Sequence, residues 1–277
     1  MHQDNYERGS SLLSSMVEKS TVILRHLSNN FGEERGYGRF LQNEKITTQD
    51  IVECYRPPVP ANLSELHVLL VEDTTEVSFG LNSQKTGLSK VGNGFSEGFF
   101  AHPVIGIDAS NGGCLGLAAT EIHLRQVYHP TESEVAIAKR SLEKSAAKKA
   151  ILRQARETHQ MQLPFEDKDR YRWLDTALEA SEHYEGALRR TVVADREGDI
   201  YQVLMGLQSQ GVDFVIRSAH DRYLDATRSE TTLHSSAQKW SEECCFKAKL
   251  PATDKRSAHE AILQVSYQNV NLACPSA

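Results

Sequence analysis

Two aspartates each follow a short apolar segment of the sequence. Asp73 comes directly after residues 66–72 (LHVLLVE), and Asp195 comes directly after residues 191–194 (TVVA). Apolar segments of this length predict strands that are buried on both faces of a sheet. If the two strands are neighbours, Asp73 and Asp195 meet at one sheet edge, and two converging carboxylates are half of a divalent-metal site.

The chemistry of such a pair depends on a cation. Two close carboxylates repel each other, which raises the pKa of one of them unless a metal ion neutralises the charge. A pair of Mg²⁺ or Mn²⁺ ions does so, and it supports in-line displacement at a phosphodiester. Each aspartate also has an ordinary local explanation. Asp73 can hydrogen-bond its own backbone in a turn, and Asp195 can cap a following helix.

Composition restricts the class of protein. The 277 residues are 39% hydrophobic and 25% charged, as in a globular protein with a core, and the formal net charge is −6. We find neither a membrane-spanning apolar run nor a secretory signal, and the five cysteines follow no metal-ligand spacing. These features predict a cytoplasmic protein with no membrane partner. Residues 139–156 carry seven positive charges and one negative charge, which fits either a solvated helix face or a phosphate-tracking helix.

The order of predicted elements indicates an α/β fold. Helical patterns, including one over 11–28, precede the proline-rich connector at 57–60. The Asp73 strand is followed by a Gly- and Ser-rich loop over 79–98, then by a hairpin with an Asn-Gly turn within 108–113, helices over 132–159 and 166–186, the Asp195 strand, a helix and another strand. This order predicts a ribonuclease-H-like mixed sheet with helices on both faces. We expect an N-terminal helical domain at 1–60, a core at 61–222 and an incomplete β-layer at 223–277.

Several arginines lie close to the Asp195 strand in sequence. Arg189 and Arg190 precede the strand, Arg196 follows it, and Arg217 ends the next predicted strand. Arg217 could contact a phosphate near bound metals, or these side chains could form surface salt bridges.

Five segments form a pattern that matches a known family. Four are VEDTT (71–75), VADREGDI (193–200), RWL (172–174) and FVIRSAH (214–220), and the fifth is the spacing Arg-Phe-x-x-Asn-x-x-x-Thr from residue 39 to residue 47. Together they resemble motifs of bacterial DDE transposases of the insertion-sequence-four family, the family of the transposase of the kanamycin-resistance transposon.

The resemblance implies a ribonuclease-H-like core, an N-terminal domain that binds transposon ends, and metal-dependent DNA nicking and strand transfer. Asp73 and Asp195 would be the catalytic metal ligands for Mg²⁺ or Mn²⁺. The partners would be double-stranded DNA, both terminal inverted repeats and target, and a second copy of the chain in the intact family. The matched positions imply DNA contacts at Arg39, Asn43, Arg217 and His220. Arg189 and Arg190, which lie next to the Asp195 strand in sequence, are further candidate DNA contacts.

One expected feature of the family has no match. Its third carboxylate lies in a Tyr-x2-Arg-x3-Glu-x6-Lys pattern, and Tyr201, Tyr223 and Tyr267 lack the arginine at the required spacing. We therefore expect a C-terminally truncated transposase with little transposition by this chain alone. The alternative is a catalytically inactive remnant that binds transposon ends or inhibits transposition, and a third possibility is a standalone nuclease with two aspartates.

Overall fold

The computed structural model describes residues 3–80, 85–92, 96–125, 131–132, 145–224, 231–254 and 256–274. The chain divides into two compact units. The first contains Met1–Ala194 and Gly206–Val215, and the second contains Asp195–Met205 and Ile216–Ala277. No helix of the described segments is long and apolar enough to cross a membrane. The predicted boundaries at residues 60 and 222 stay predictions.

The N-terminal part of the first unit is helical, as predicted. It contains α1 (Gln3–Lys19), α2 (Leu24–Leu27), α3 (Phe31–Leu41) and α4 (Thr48–Tyr55). Apolar side chains on the facing sides of the first three helices form a small core: Leu12, Leu27, Tyr37 and Phe40. The single helix predicted over 11–28 is wrong because α1 ends at Lys19 and Ser20 has a φ of 48°, a left-handed conformation that a helix cannot continue through.

A seven-stranded sheet forms the centre of the first unit. Its strands are β1 (His67–Glu72), β2 (Thr75–Ser78), β3 (Ser89–Val91), β4 (Ser96–Asp108), β5 (Cys114–His123), β6 (Arg189–Ala194) and β7 (Asp213–Ile216). The order along the sheet is β2–β4–β1–β6–β7, and β3 and β5 also pair with β4. β1 pairs antiparallel with β4 and parallel with β6, so the sheet is mixed.

The hairpin prediction is confirmed. β4 and β5 pair antiparallel, and the turn between them is fixed by Asp108, whose carboxylate accepts hydrogen bonds from Ser110 N–H (2.9 Å) and Asn111 Nδ2 (2.8 Å). The prediction that 79–98 has no regular structure is wrong in its described part, because β3 and the start of β4 lie there and pair with each other. β3 is only three residues long, which gives no usable periodicity.

Helices and short turns follow β5 in the chain. Helix α5 (Ser145–Gln162) overlaps the predicted charged helix 132–159, of which 133–144 lie outside the described residues, and ends three residues beyond it. Two 3-10 turns precede α6 (Arg172–His183), which is therefore shorter than the predicted 166–186. Helix α6 packs on β1, β4 and β5.

The core under α6 explains the alternating burial of β1. Val68, Leu70 and Glu72 are buried, whereas the intervening residues are half-buried. The prediction that this strand is buried on both faces is therefore wrong for one face, whose residues are only half-buried. Trp173 and Tyr184, from α6 and the residue after it, are also buried in this core.

The second unit contains less regular structure. Helix α7 (Tyr201–Ser209) begins in this unit, and α8 (Leu233–Ala237) follows later in the chain. β8 (Cys244–Leu250) and β9 (His259–Val265) form a two-stranded antiparallel sheet in which no residue is fully buried. The strands predicted in this region are therefore present.

Candidate metal and DNA site

Asp73 lies at the exposed end of β1. Its Oδ1 atom accepts a hydrogen bond from the backbone N–H of Thr74 at 2.8 Å. The predicted hydrogen bond of this aspartate to local backbone is thus present. No hydrogen bond to Oδ2 of Asp73 occurs among the residues that the structure describes, so this oxygen is open to a ligand.

Asp195 has the same arrangement in the second unit. It is exposed and caps the 3-10 turn Arg196–Gly198, with Oδ1 accepting the backbone N–H of Glu197 at 2.7 Å. The predicted capping role is confirmed. Within the described segments Oδ2 of Asp195 has no hydrogen-bond partner.

The strands that precede the two aspartates are neighbours within the first unit. β1 and β6 pair in parallel, with His67 opposite Arg189 and Val71 opposite Val193. His67 Nε2 also lies 2.8 Å from Thr191 Oγ1 across this pair. Both strands therefore end at the same edge of the sheet.

A buried polar cluster lies next to Asp73 in the first unit. Glu72 and His102 are both fully buried, with Glu72 Oε2 3.4 Å from His102 Nε2. On its other side the His102 ring bonds through Nδ1 to Thr74 Oγ1 (2.9 Å), and Arg172 Nε donates to the same hydroxyl (3.2 Å). The ring also makes an edge contact with Trp173, at 4.5 Å between centroids. These contacts fix the residue that follows Asp73.

Burial controls the protonation of this cluster. Desolvation raises the pKa of Glu72 well above its ordinary value, and the nearby Arg172 guanidinium opposes this only in part. Desolvation also lowers the pKa of His102 to about 3, with Arg172 and His123 acting in the same direction. His102 is therefore neutral near pH 7, and burial favours the neutral form of Glu72 as well. The sequence analysis missed this cluster, although a glutamate inside an apolar strand was a visible signal.

A buried ion pair lies in the second unit. The carboxylate of Asp199 accepts the backbone N–H groups of Ala219 (2.6 Å) and His220 (2.9 Å) and pairs with Arg222. Desolvation alone would raise the pKa of Asp199, but these hydrogen bonds and the guanidinium hold it below its ordinary value. Asp199 thus organises the loop after β7.

Three arginines predicted to contact DNA differ in the partners they have in the fold. Arg190 donates through Nη1 to the carbonyl and hydroxyl oxygens of Ser181, and Arg189 pairs with Asp213 at 2.6 Å. Arg217, directly after β7, is exposed, and no ion pair to it occurs within the described part of the chain.

The other three predicted contacts are His220, Arg39 and Asn43. The backbone of His220 binds Asp199, which leaves its exposed ring available. Arg39 is exposed on α3, and Asn43 is half-buried after it, accepting the N–H of Lys45 at 3.2 Å. Over the described segments, no group of three or more His, Cys, Asp or Glu side chains is arranged to hold a metal.

Comparisons with known proteins add a distant likeness. The sequence matches no family model and no curated protein. The chain is similar to a piggyBac transposase, solved by cryo-EM as a synaptic complex with hairpin DNA, with a TM-score of 0.35 and 9% identity. The match covers 95% of this chain and 52% of that one, so this chain spans about half the length of its structural neighbour. A likeness this distant carries no argument about function.

Proposed function

We propose that this chain carries two of the metal-binding carboxylates of a DNA transposase that cleaves and joins strands at transposon ends. The observation that supports this most strongly is the parallel pairing of β1 and β6, from His67 opposite Arg189 to Val71 opposite Val193. Each strand is followed at once by an exposed aspartate, Asp73 or Asp195. Parallel strands end at the same sheet edge, so these two residues are suited to a shared site.

The strand order supports the finer assignment of a ribonuclease-H-like core. Five strands follow the order β5–β4–β1–β6–β7, with β4 and β5 forming an antiparallel hairpin beside β1. Helix α6 lies between β5 and β6 in the sequence, and α7 lies between β6 and β7. This is the arrangement of strands and crossover helices predicted from the order of elements in the sequence.

The donor chemistry fits a hard divalent cation. Asp73 and Asp195 offer carboxylate oxygens, the ligand type that Mg²⁺ and Mn²⁺ prefer, and each has one oxygen held by a neighbouring backbone N–H. The same contact orients the second oxygen at an exposed position. Bound Mg²⁺ or Mn²⁺ would activate a hydroxyl nucleophile and stabilise the leaving oxygen of a phosphodiester.

The remaining residues of the proposed site have separate tasks. The buried contact between His102 and Thr74 restrains the backbone after Asp73, so the carboxylate is held by a rigid element. Arg217 and the ring of His220 are exposed and suited to DNA phosphates. Arg39 and Asn43 belong to the helical part that would hold the transposon end.

The alternative of a non-cutting DNA-binding protein also has an observation in its favour. Both aspartates already make local hydrogen bonds, to Thr74 and to Glu197, and such contacts explain an aspartate at a strand end without a metal. In this alternative the chain occupies transposon ends and inhibits transposition.

Nicking of supercoiled plasmid DNA in Mn²⁺ tests the proposal. We expect slow nicking by the purified chain that Asp73→Asn and Asp195→Asn each abolish, whereas Asp213→Asn, at an exposed salt bridge, leaves it unchanged. Gel-shift measurements on the same samples report DNA binding. Binding without nicking would favour the inhibitor alternative, and nicking that survives both substitutions would contradict the assigned site.

A further inference from the structure

A cavity of about 260 Å³ lies in the first unit between the ends of β4 and β5 and the residues that precede α6. Its lining is strongly basic. Four cationic side chains face one carboxylate, that of Asp169, in a chain whose formal net charge is −6. The four are Arg125, Lys168, Arg170 and Arg172. Positive charge concentrated here, in a chain whose net charge is negative, favours the binding of an anion.

Three of these cations have no counter-ion among the residues that the structure describes. Within the described segments, no carboxylate forms an ion pair with Arg125, Lys168 or Arg170. By contrast, Lys90 elsewhere in the same unit pairs with Glu97 at 3.1 Å. Cations that are gathered at a cavity without compensation are stabilised by an external anion.

The walls of the cavity are rigid. The backbone N–H of Arg125 donates to Ser89 Oγ at 3.0 Å, and its guanidinium lies 4.9 Å from the centre of the Phe100 ring. On the opposite wall, the backbone of Lys168 donates to Phe165 at 3.1 Å, and the rings of Phe165 and Tyr171 pack edge to face at 5.5 Å. Such preorganisation reduces the entropy lost on binding.

These cations affect the pKa of a neighbouring group, His123. Desolvation lowers the pKa of His123, and the Arg172 and Arg125 guanidinium groups lower it further, against an opposing effect of Asp169. The imidazole is therefore neutral near pH 7. His123 stacks on Phe100 with ring centres 5.2 Å apart, so it is part of the cavity wall.

We propose that this cavity binds a phosphate group of a DNA strand. Its volume is below the range of about 300–1,000 Å³ typical of pockets for whole small molecules, which fits a phosphate better than a complete nucleotide. Phe100 is only 9% exposed, so its ring offers little surface for stacking a base. Arginine guanidinium groups bind phosphate oxygens in pairs, and contacts of this kind position a strand without selecting its sequence.

The choice of DNA as the source of the phosphate rests on the proposed function, whereas the preference for phosphate rests on the cavity. The test is therefore made without metal, so that cleavage plays no part in it. Binding of a fluorescent, short, mixed-sequence DNA duplex is followed by anisotropy in EDTA over a range of salt concentrations.

The double variant Lys168→Gln/Arg170→Gln removes two positive charges from the cavity. Arg170 is exposed and Lys168 is half-buried. We expect the Kd of the double variant to rise roughly tenfold or more, and the slope of log K against log salt to fall by about one for each phosphate that the variant no longer neutralises. Lys90→Gln, which removes one exposed cation from the same unit, should leave both quantities unchanged. Because this assay contains EDTA and measures binding alone, a failure of the inference is distinguishable from a failure of the cleavage proposal, which the nicking assay in Mn²⁺ tests.

Two outcomes would overturn the inference. One is a double variant with the affinity and salt slope of the original chain, and the other is an equal loss of affinity in Lys90→Gln, which would indicate only a general charge effect. Inorganic phosphate is titrated in parallel by thermal shift. Suppose that phosphate stabilises the original chain but not the double variant, while the DNA affinity of the two proteins is the same. The cavity then holds free phosphate, and the assignment to DNA is wrong.

Discussion

Glu72 and His102 lie side by side in the core of the first unit, with their side chains fully buried and 3.4 Å between Oε2 and Nε2. Neither Oε atom of Glu72, nor Nε2 of His102, has a well-aligned hydrogen bond within the described residues. Buried polar groups of this kind are costly when charged, and the raised pKa of Glu72 and the lowered pKa of His102 both favour neutral side chains. The Glu72–His102 pair helps to hold in place the backbone that carries Asp73.

This relationship predicts how substitutions at the pair affect stability. Glu72→Gln keeps the shape of a neutral carboxyl group, so we expect the free energy of unfolding at pH 7 to change by less than about 1 kcal/mol. His102→Ala removes a buried ring that packs on Trp173 and should cost about 2–5 kcal/mol. Denaturant titration of the three proteins measures both values. A Glu72→Gln protein as unstable as His102→Ala would mean that Glu72 is charged.

Close packing of Tyr184 against β4 gives a second prediction. A Cβ atom at Gly106 would lie 2.4 Å from Tyr184 Oη, so Gly106→Ala should destabilise the chain by about 1–3 kcal/mol. The hydroxyl of Tyr184 is buried without a hydrogen bond among the described groups, so adding Tyr184→Phe should restore part of the stability. Gly38→Ala is the control, because its new Cβ meets nothing within 4 Å on α3 and should be neutral or slightly stabilising.

A Gly106→Ala protein as stable as the original chain would contradict the packing explanation. If Gly106→Ala and Gly106→Ala/Tyr184→Phe unfold at the same denaturant concentration, the tyrosine oxygen is not the obstacle. Denaturant unfolding with matched protein concentrations is a sufficient measurement.

The features that could be predicted from the sequence are those that depend on residues or elements close together in the chain. The hairpin follows from a turn in which Asp108 and Asn111 bind their own backbone and each other, all within a few residues. The parallel pairing of β1 with β6 follows from a strand, a crossover helix and a second strand. This pairing ends the two strands that precede the predicted aspartates at one sheet edge.

Features that depend on tertiary packing were not predicted. Glu72 and His102 are thirty residues apart in the chain and become neighbours only because Glu72 pairs with Val104, two residues from His102 on the same face of β4. The break after α1 depends on one left-handed residue, Ser20, which has no strong sequence signature. The basic cavity likewise combines residues from distant segments.

A pH-dependent prediction follows from Asp199 in the second unit. Its side chain is 4% exposed and paired with Arg222, so Asp199→Asn should cost about 3–5 kcal/mol at pH 7. Because the folded pKa of Asp199 lies below its ordinary value of 3.8, the stabilisation is present above that value and is lost as the pH falls through the folded pKa. The difference between the original chain and Asp199→Asn should therefore shrink below about pH 3.8.

Denaturant unfolding at pH 7, 5 and 3 measures this difference. Asp213→Asn is the matched control, since its bridge to Arg189 is exposed and should contribute less than about 1 kcal/mol at each pH. A penalty for Asp199→Asn that is the same at pH 3 and pH 7 would contradict the assignment.

The arginines near β6 and β7 should separate into structural and DNA-binding groups. Arg190 donates to Ser181 at 2.9 Å and 3.1 Å, so Arg190→Gln should lower the unfolding free energy by about 1–3 kcal/mol. Arg217→Gln should leave stability unchanged and weaken DNA binding with a smaller salt dependence, because this side chain is exposed. Anisotropy and denaturant titration of both variants provide the comparison, and equal DNA affinity for Arg217→Gln and the original chain would exclude the predicted contact.

The most direct test of the proposed site is whether Asp73 and Asp195 hold the same metal. Fe²⁺ replaces Mg²⁺ in the purified chain, and ascorbate and peroxide then generate radicals that cut the backbone near the bound ion. We predict cuts close to both residue 73 and residue 195, with both cuts abolished in Asp73→Asn and both abolished in Asp195→Asn. Cuts elsewhere in the chain, or disappearance of only the cut next to the substituted residue, would show that the two aspartates do not share a metal site.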